Sequence, residues 1–249
     1  GVERNSGERT GSGNKNYLMI IGGFQKISLV DFPGKIASII FTKGCLFRCP
    51  YCHNPELVSY KSPEGIDERS VFDYLEKRKD FIEGVCITGD EPTLHKDLPE
   101  FIARIKAMGF LVKLDTNGVT PQMVASLIEK KLVDYIAMDI KNTWDKYGSI
   151  AKVAPGKEKF LDRCQETFSI IQNSNIPHEW RTTVLPGIHQ ESDFFNMMSC
   201  FKGGEKYFLQ EISYKKNLDP SLDRTKKIDV KNIASLLRAR FPEIAVETR

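Results

Sequence analysis

At 249 residues the chain can bury the core of one large α/β domain, and it is too short for two ordinary enzyme domains joined by a linker. Basic and acidic residues nearly balance, 36 against 33, and the basic ones are scattered, so neither nucleic acid nor an anionic membrane is called for as a partner. The apolar runs at 18–21 and 36–41 are far too short to cross a bilayer and no charged-then-apolar leader precedes them, which gives the expectation of a soluble, cytoplasmic protein.

Residues 1–17 are polar, rich in Gly, Ser, Asn and charge, and without periodicity; they read as a disordered tail, with residues 18–249 as one domain. A short strand is expected at 18–23, and the turn residues Val30, Asp31, Phe32, Pro33 and Gly34 follow it. Residues 35–42 form a β-branched, nearly continuous apolar run, the pattern of a parallel strand covered on both faces. From there strands and helices alternate. Helices are expected at 67–82 with Asp67 as cap, at 98–108 stopped by Gly109, and at 121–131 with Pro121 in its first turn. Further helices are expected at 158–173, 191–201 and 229–240, the first after a long connection over 144–157. Strands are expected between them at 85–88, 110–114, 133–138, 178–185 and 206–212, with a terminal one at 244–247. Six strand-then-helix units predict an α/β fold built on a parallel, barrel-like sheet.

The stretch Cys45-Leu-Phe-Arg-Cys49-Pro-Tyr51-Cys52-His53 stands apart from this pattern. Three cysteines in one short loop can turn their thiolates onto one inorganic centre and leave a coordination position open. A Cys3His zinc knuckle completed by His53, or three buried thiols, are the alternatives on spacing alone. Cys86, Cys164 and Cys200 are isolated and read as core residues rather than a disulfide framework.

The other unusual polar residues fall where strands end, which in such barrels is the active-site face. Gly89, Asp90 and Glu91 follow the second strand of the repeat and Asp115, Thr116 and Asn117 the third. Asp139 and Lys141 follow the fourth, Arg181 and His189 belong to the fifth, and Gln210 with Glu211 to the sixth. Asp139 and Lys141, two apart, share a side of the chain.

On these residues the chain resembles the radical S-adenosylmethionine superfamily, and within it the activating proteins of anaerobic ribonucleoside-triphosphate reductase. The cysteine loop carries the superfamily. The segments 22–26, 29–34, 51–55, 114–118, 138–141, 181–184 and 186–187 carry the narrower likeness. The resemblance implies a partial (β/α)6 TIM-like barrel, with a [4Fe–4S] cluster on Cys45, Cys49 and Cys52 whose open iron is chelated by S-adenosylmethionine. It implies cofactor contacts by Tyr51, Gly89, Asp90, Glu91, Asp115, Asn117, Asp139, Lys141, Arg181 and His189, with Glu91 on the cofactor's amino group. Asp139 and Lys141 would also work on the incoming peptide, and Asp115, Thr116 and Asp139 would hold a monovalent cation. The implied partners are a glycyl-radical enzyme, the large subunit of anaerobic ribonucleotide reductase, and a one-electron donor such as flavodoxin or ferredoxin.

Two rivals stand beside this reading. One is an activase for another glycyl-radical enzyme, such as a pyruvate formate-lyase-like partner; many activases of other glycyl-radical enzymes carry a cysteine-rich ferredoxin-like insertion that this sequence lacks. The other is a non-catalytic zinc-binding module. The chain also departs from the family pattern at Asp90, where glycine is usual; a side chain there is expected to weaken cofactor binding unless its carboxylate turns to solvent.

Overall fold

A computed structural model describes residues 19–59, 65–153 and 159–249. The expected tail at 1–17 lies outside the described residues, as does the start of the first expected strand at Leu18.

One eight-stranded sheet runs in strict chain order from β1 to β8. Strand β1 (Ile21–Ser28) pairs antiparallel with β2 (Ala37–Thr42). Every later neighbour is parallel: β3 (Gly84–Gly89), β4 (Leu111–Thr116), β5 (Tyr135–Asp139), β6 (His178–Val184), β7 (Lys206–Glu211) and β8 (Ala245–Thr248). Helices cover the outer face: α1 (Glu68–Glu76), α2 (Leu98–Ala107), α3 (Pro121–Glu129), α5 (Lys159–Asn173), α6 (Glu191–Met198) and α7 (Val230–Arg240). Strands β2 to β7 are the six expected repeat strands, so the architecture is the expected open, partial barrel.

Boundaries moved where local chemistry overrode periodicity. Strand β1 extends five residues beyond its expected end, because Gln25 and Lys26 sit on an edge strand and face solvent, where polar side chains are tolerated. Helix α1 stops at Glu76, six residues short, in turns whose amides bond Asp73, Leu75 and Arg78 carbonyls. The connection after β5 contains a short helix α4 (Tyr147–Ala151) that the sequence reading did not assign. Asp67 and Asp229 cap α1 and α7 as their residue types favour, accepting from Arg69 N and Asn232 N.

Alternation along the strands sorts the side chains into two sets. Val112 and Leu114, Ile136 and Met138, and Trp180 join the outer core with the helices. Their neighbours Lys113 and Asp115, Tyr135 and Asp139, and Glu179 and Arg181 fall on the opposite, concave face. The apolar run of 35–42 is buried along most of its length as expected, whereas β4 to β6 carry buried charge inside the barrel. Below that layer Phe32, from the β1–β2 turn, packs with Ala37, Leu111 and Tyr135, its ring 6.2 Å from that of Tyr135.

Candidate active site

The carboxyl ends of the strands surround a cleft of about 240 Å³. Cys45, Cys49 and Cys52 line it, together with Tyr51, Gly89, Asp90, Asp115, Thr116, Asn117, Asp139, Lys141 and Arg181. All but two of the expected site residues therefore meet on one wall or another of a single cavity.

The cysteine loop is pinned from several sides. Arg48 donates to the carbonyls of Cys45 (2.8 Å) and Phe47 (2.7 Å), and its own amide bonds the Ala151 carbonyl of α4. From the long β7–α7 connection, Leu218 N and Asp219 N donate to the carbonyls of Cys52 and Pro50, while Asn217 Nδ2 donates to that of Tyr51. Two donors address the Cys45 sulfur: Phe47 N at 3.3 Å and Asn117 Nδ2 at 3.5 Å.

Burial pushes all three thiols up, Cys52 to about 11, so loading a metal centre releases their protons. Among the described residues no three His, Cys, Asp or Glu side chains converge as closely as a single ion requires. The three thiols nonetheless line one cavity. With N–H donors on one sulfur, this donor set fits an iron–sulfur cluster. His53, the fourth ligand of the zinc alternative, lies exposed on the rim.

Opposite the thiols lies a chain of ion pairs. Arg181 joins β4 to β5: its Nη1 meets Asp115 Oδ2 at 2.8 Å and its Nε meets Asp139 Oδ1 at 3.0 Å. Lys113 takes the other oxygen of Asp115, and Lys141 the other oxygen of Asp139 at 2.9 Å. Burial alone would raise both carboxyls, but these cations overcome it and hold them below the usual carboxylate range, Asp139 furthest. Lys141 also stands 5.6 Å from the centre of the Tyr51 ring, a cation–π contact. Lys113 was missed in the sequence; the available signal was a lone charge inside the apolar run Leu111-Val112-Lys113-Leu114.

Three expectations are corrected by this geometry. Glu91 does not reach the cleft: it is fully buried behind it, where Oε1 accepts from Thr93 N (3.1 Å) and Thr116 Oγ1 (2.8 Å), and Oε2 from Asn117 N (2.6 Å). It caps a turn of 3-10 helix, Pro92–Leu94, and fastens the β3 end to the β4 end. His189 is likewise behind the wall, accepting from Leu185 N at Nδ1 and donating from Nε2 to the Lys141 carbonyl at 2.8 Å, so it positions the chain beside Lys141. The proposed cation cage is not formed either. Every oxygen of Asp115 and Asp139 already faces a cationic side chain, and Thr116 Oγ1 donates to Glu91.

Asp90 behaves differently from every other acid on the wall. Its Oδ2 is buried and without a hydrogen-bond partner, and burial raises the carboxyl to about 7. Its backbone is not in the left-handed region, so glycine is not needed here. Gly89 is the residue that must be glycine: its φ is +108°, and a Cβ would lie 2.4 Å from Thr42 N.

Comparison with known proteins agrees with this arrangement. Residues 39–196 match the radical SAM superfamily. A Methanocaldococcus jannaschii protein named as a glycyl-radical enzyme activating enzyme is 30% identical over 92% of this chain and 96% of its own length. The pyruvate formate-lyase-activating enzyme of Listeria monocytogenes is 35% identical over 47% of this chain and 51% of its own. Among solved structures, a radical SAM methyltransferase from Sphaerobacter thermophilus superposes with a TM-score of 0.63 at 13% identity, covering 88% of this chain and 67% of that one. The AdoMet and peptide complex of anSMEcpe gives 0.56 at 14% identity, over 82% and 60%. At these identities the structural likenesses speak for the fold.

Proposed function

The chain belongs to the radical SAM superfamily and to its glycyl-radical enzyme activating enzymes, and on that premise we propose that it installs the glycyl radical of an anaerobic ribonucleoside-triphosphate reductase. The family's cofactors are a [4Fe–4S] cluster and S-adenosylmethionine, and the zinc-module rival falls with the family assignment. The observation that carries the reading is one cleft in which three thiols face a buried ion-pair chain and a carboxyl with one buried oxygen left without a partner. When bound, the cluster supplies the electron that cleaves S-adenosylmethionine to methionine and a 5′-deoxyadenosyl radical able to take hydrogen from a glycine.

In this reading Cys45, Cys49 and Cys52 hold the cluster, and Phe47 N and Asn117 Nδ2 steady the charge on the Cys45 sulfur. Asp90 accepts an N–H from the cofactor's amino group, because the oxygens of Asp115 and Asp139 are committed to cations. The pairs around Arg181 and Lys141 contain three cations against two carboxylates and so favour the cofactor's carboxylate. Tyr51 packs beside the adenine, and Lys141 with Asp139 also meets the incoming peptide. Phe47 and Tyr51, both nearly fully buried, keep water from the thiols.

The narrower motifs at 29–34 and 181–187 support the reductase target, as does the lack of a second cysteine cluster in the sequence. No helix among the described residues is long and apolar enough to cross a membrane, and we place the enzyme in the cytoplasm, with a flavodoxin or ferredoxin as donor. A pyruvate formate-lyase-like target is the second reading, favoured by the 35% identity to activating enzymes of that kind.

The test is anaerobic reconstitution followed by incubation with each candidate partner, S-adenosylmethionine and reductant, read by electron paramagnetic resonance. A glycyl-radical signal on the reductase and not on the lyase is the expected result; the reverse transfers the assignment. Cys49→Ser is expected to remove the cluster's visible absorption and cofactor cleavage together.

A further inference from the structure

A second cavity, of about 440 Å³, lies on the outer side of the β5 end, away from the thiols. Its walls come from the connection after β5 (Asn142, Trp144, Asp145), from Phe168 on α5, and from the end of α6 with Phe201 beyond it. That volume is within the range of small-molecule sites, and most of its lining is aromatic or apolar.

Two polar atoms of its lining residues are buried without a hydrogen-bond partner, Thr143 Oγ1 and Asn142 Nδ2, and the second can only donate. Asn142 is 1% exposed, and its Oδ1 accepts from Thr143 N at 2.7 Å, which fixes the orientation of the amide. The Nδ2 that results is buried with no hydrogen-bond partner. A buried amide donor left unpaired is costly, and such groups point to a missing acceptor. The exposed carboxylate of Asp145 lines the same cavity and supplies an acceptor. No Lys or Arg is among the lining residues, so a phosphate has no counter-charge here.

We propose that this cavity binds an uncharged, planar heterocycle of the nucleobase class. A ring nitrogen or carbonyl on its edge accepts from Asn142 Nδ2, an adjacent N–H donates to Asp145, and its faces lie among Trp144, Phe168 and Phe201. The site is separate from the thiol-lined cleft and does not depend on which enzyme is the target.

The test uses the cluster-loaded protein with saturating S-adenosylmethionine, so that the cleft is filled. Adenosine, guanosine, cytidine and uridine are titrated in turn, with toluene as an aromatic without edge groups. Both tryptophans report binding: Trp144 lines the cavity, and Trp180 packs against Phe168 and Phe201. The expected result is saturable quenching by at least one nucleoside, weakened roughly tenfold by Asn142→Leu, the worth of one buried hydrogen bond. Cys200→Leu, which narrows the mouth at an exposed position, is expected to weaken it too, followed by calorimetry. Absence of saturation by every nucleoside, equal affinity for toluene, or undiminished binding in a folded Asn142→Leu protein overturns the proposal.

Discussion

Asn117, in the turn after β4, donates its side-chain amide to the sulfur of Cys45 across 72 positions of sequence, at 3.5 Å. The bond ties a residue of the β4 end directly to a thiol of the metal-binding loop. A donor on a ligating sulfur stabilises the more negative, reduced state of a cluster. Asn117→Ala is therefore expected to make the reduction potential more negative by roughly 40 mV, from about 1 kcal/mol for one hydrogen bond in a one-electron couple. A redox titration of the reconstituted protein checks it, and an unchanged potential removes Asn117 from that role.

Gly89 and Asp90 are adjacent but obey different constraints. Gly89→Ala forces a side chain into left-handed backbone against Thr42, and is expected to cost about 2 kcal/mol or more in thermal or denaturant unfolding. Asp90→Gly needs no such strain and should leave the fold intact. It is expected to weaken S-adenosylmethionine binding about fivefold to tenfold, since one acceptor is lost. This reverses the effect expected of an extra side chain from sequence alone; tighter binding by the glycine variant would restore that expectation.

The same carboxyl gives a pH dependence with a definite sign. Burial lifts Asp90 to about 7, against a backbone hydrogen bond from Gly44 and the charge of Arg48, with Glu56 and Glu91 adding to the rise. The unfolded chain ionises near the ordinary value of about 4, so the cofactor-free protein loses stability from this group as pH rises from about 4 to about 7, and no more above it. An N–H donor prefers the ionised form, so cofactor affinity should rise over the upper part of that window. Asp90→Asn is expected to flatten both curves, measured by melting and by titration at several pH values.

Among the described residues Arg181 bridges the ion pairs of β4 and β5, and it is nearly buried. Arg181→Leu leaves Asp115 and Asp139 each short of a partner in the barrel interior. An expected loss of about 3–5 kcal/mol follows, with both carboxyls titrating at higher pH than in the parent. Arg181→Lys cannot span two acids on neighbouring strands and should recover only part of it. Chemical denaturation of the three proteins checks the order.

The repeat of strands and helices was legible because β2, β3 and β7 are apolar runs whose burial leaves little choice of conformation. The extension of β1 was not, because an edge strand with Gln25 and Lys26 looks like a loop until its partner is known. The same limit applied at the site. Position at a strand end brought Asp115, Asp139, Lys141 and Arg181 to one cavity, as expected. Position alone cannot tell which way a side chain turns, and so it misjudged Glu91, which faces Thr93 and Thr116, and His189, which faces the chain beneath Lys141. Lys113 was hidden by the opposite error: a charge within an apolar strand was passed over although Asp115, on the same face of that strand, pairs with it.

The hydrogen bonds from Asn217, Leu218 and Asp219 to the carbonyls of Tyr51, Cys52 and Pro50 set an order of assembly. On a ribosome the three cysteines emerge long before their brace does. Until residue 219 is available, those three carbonyls lack the donors that hold the loop in shape. Iron that arrives during synthesis meets loose thiols, whereas iron that arrives afterwards meets a formed cradle, so maturation of the centre belongs to the finished chain.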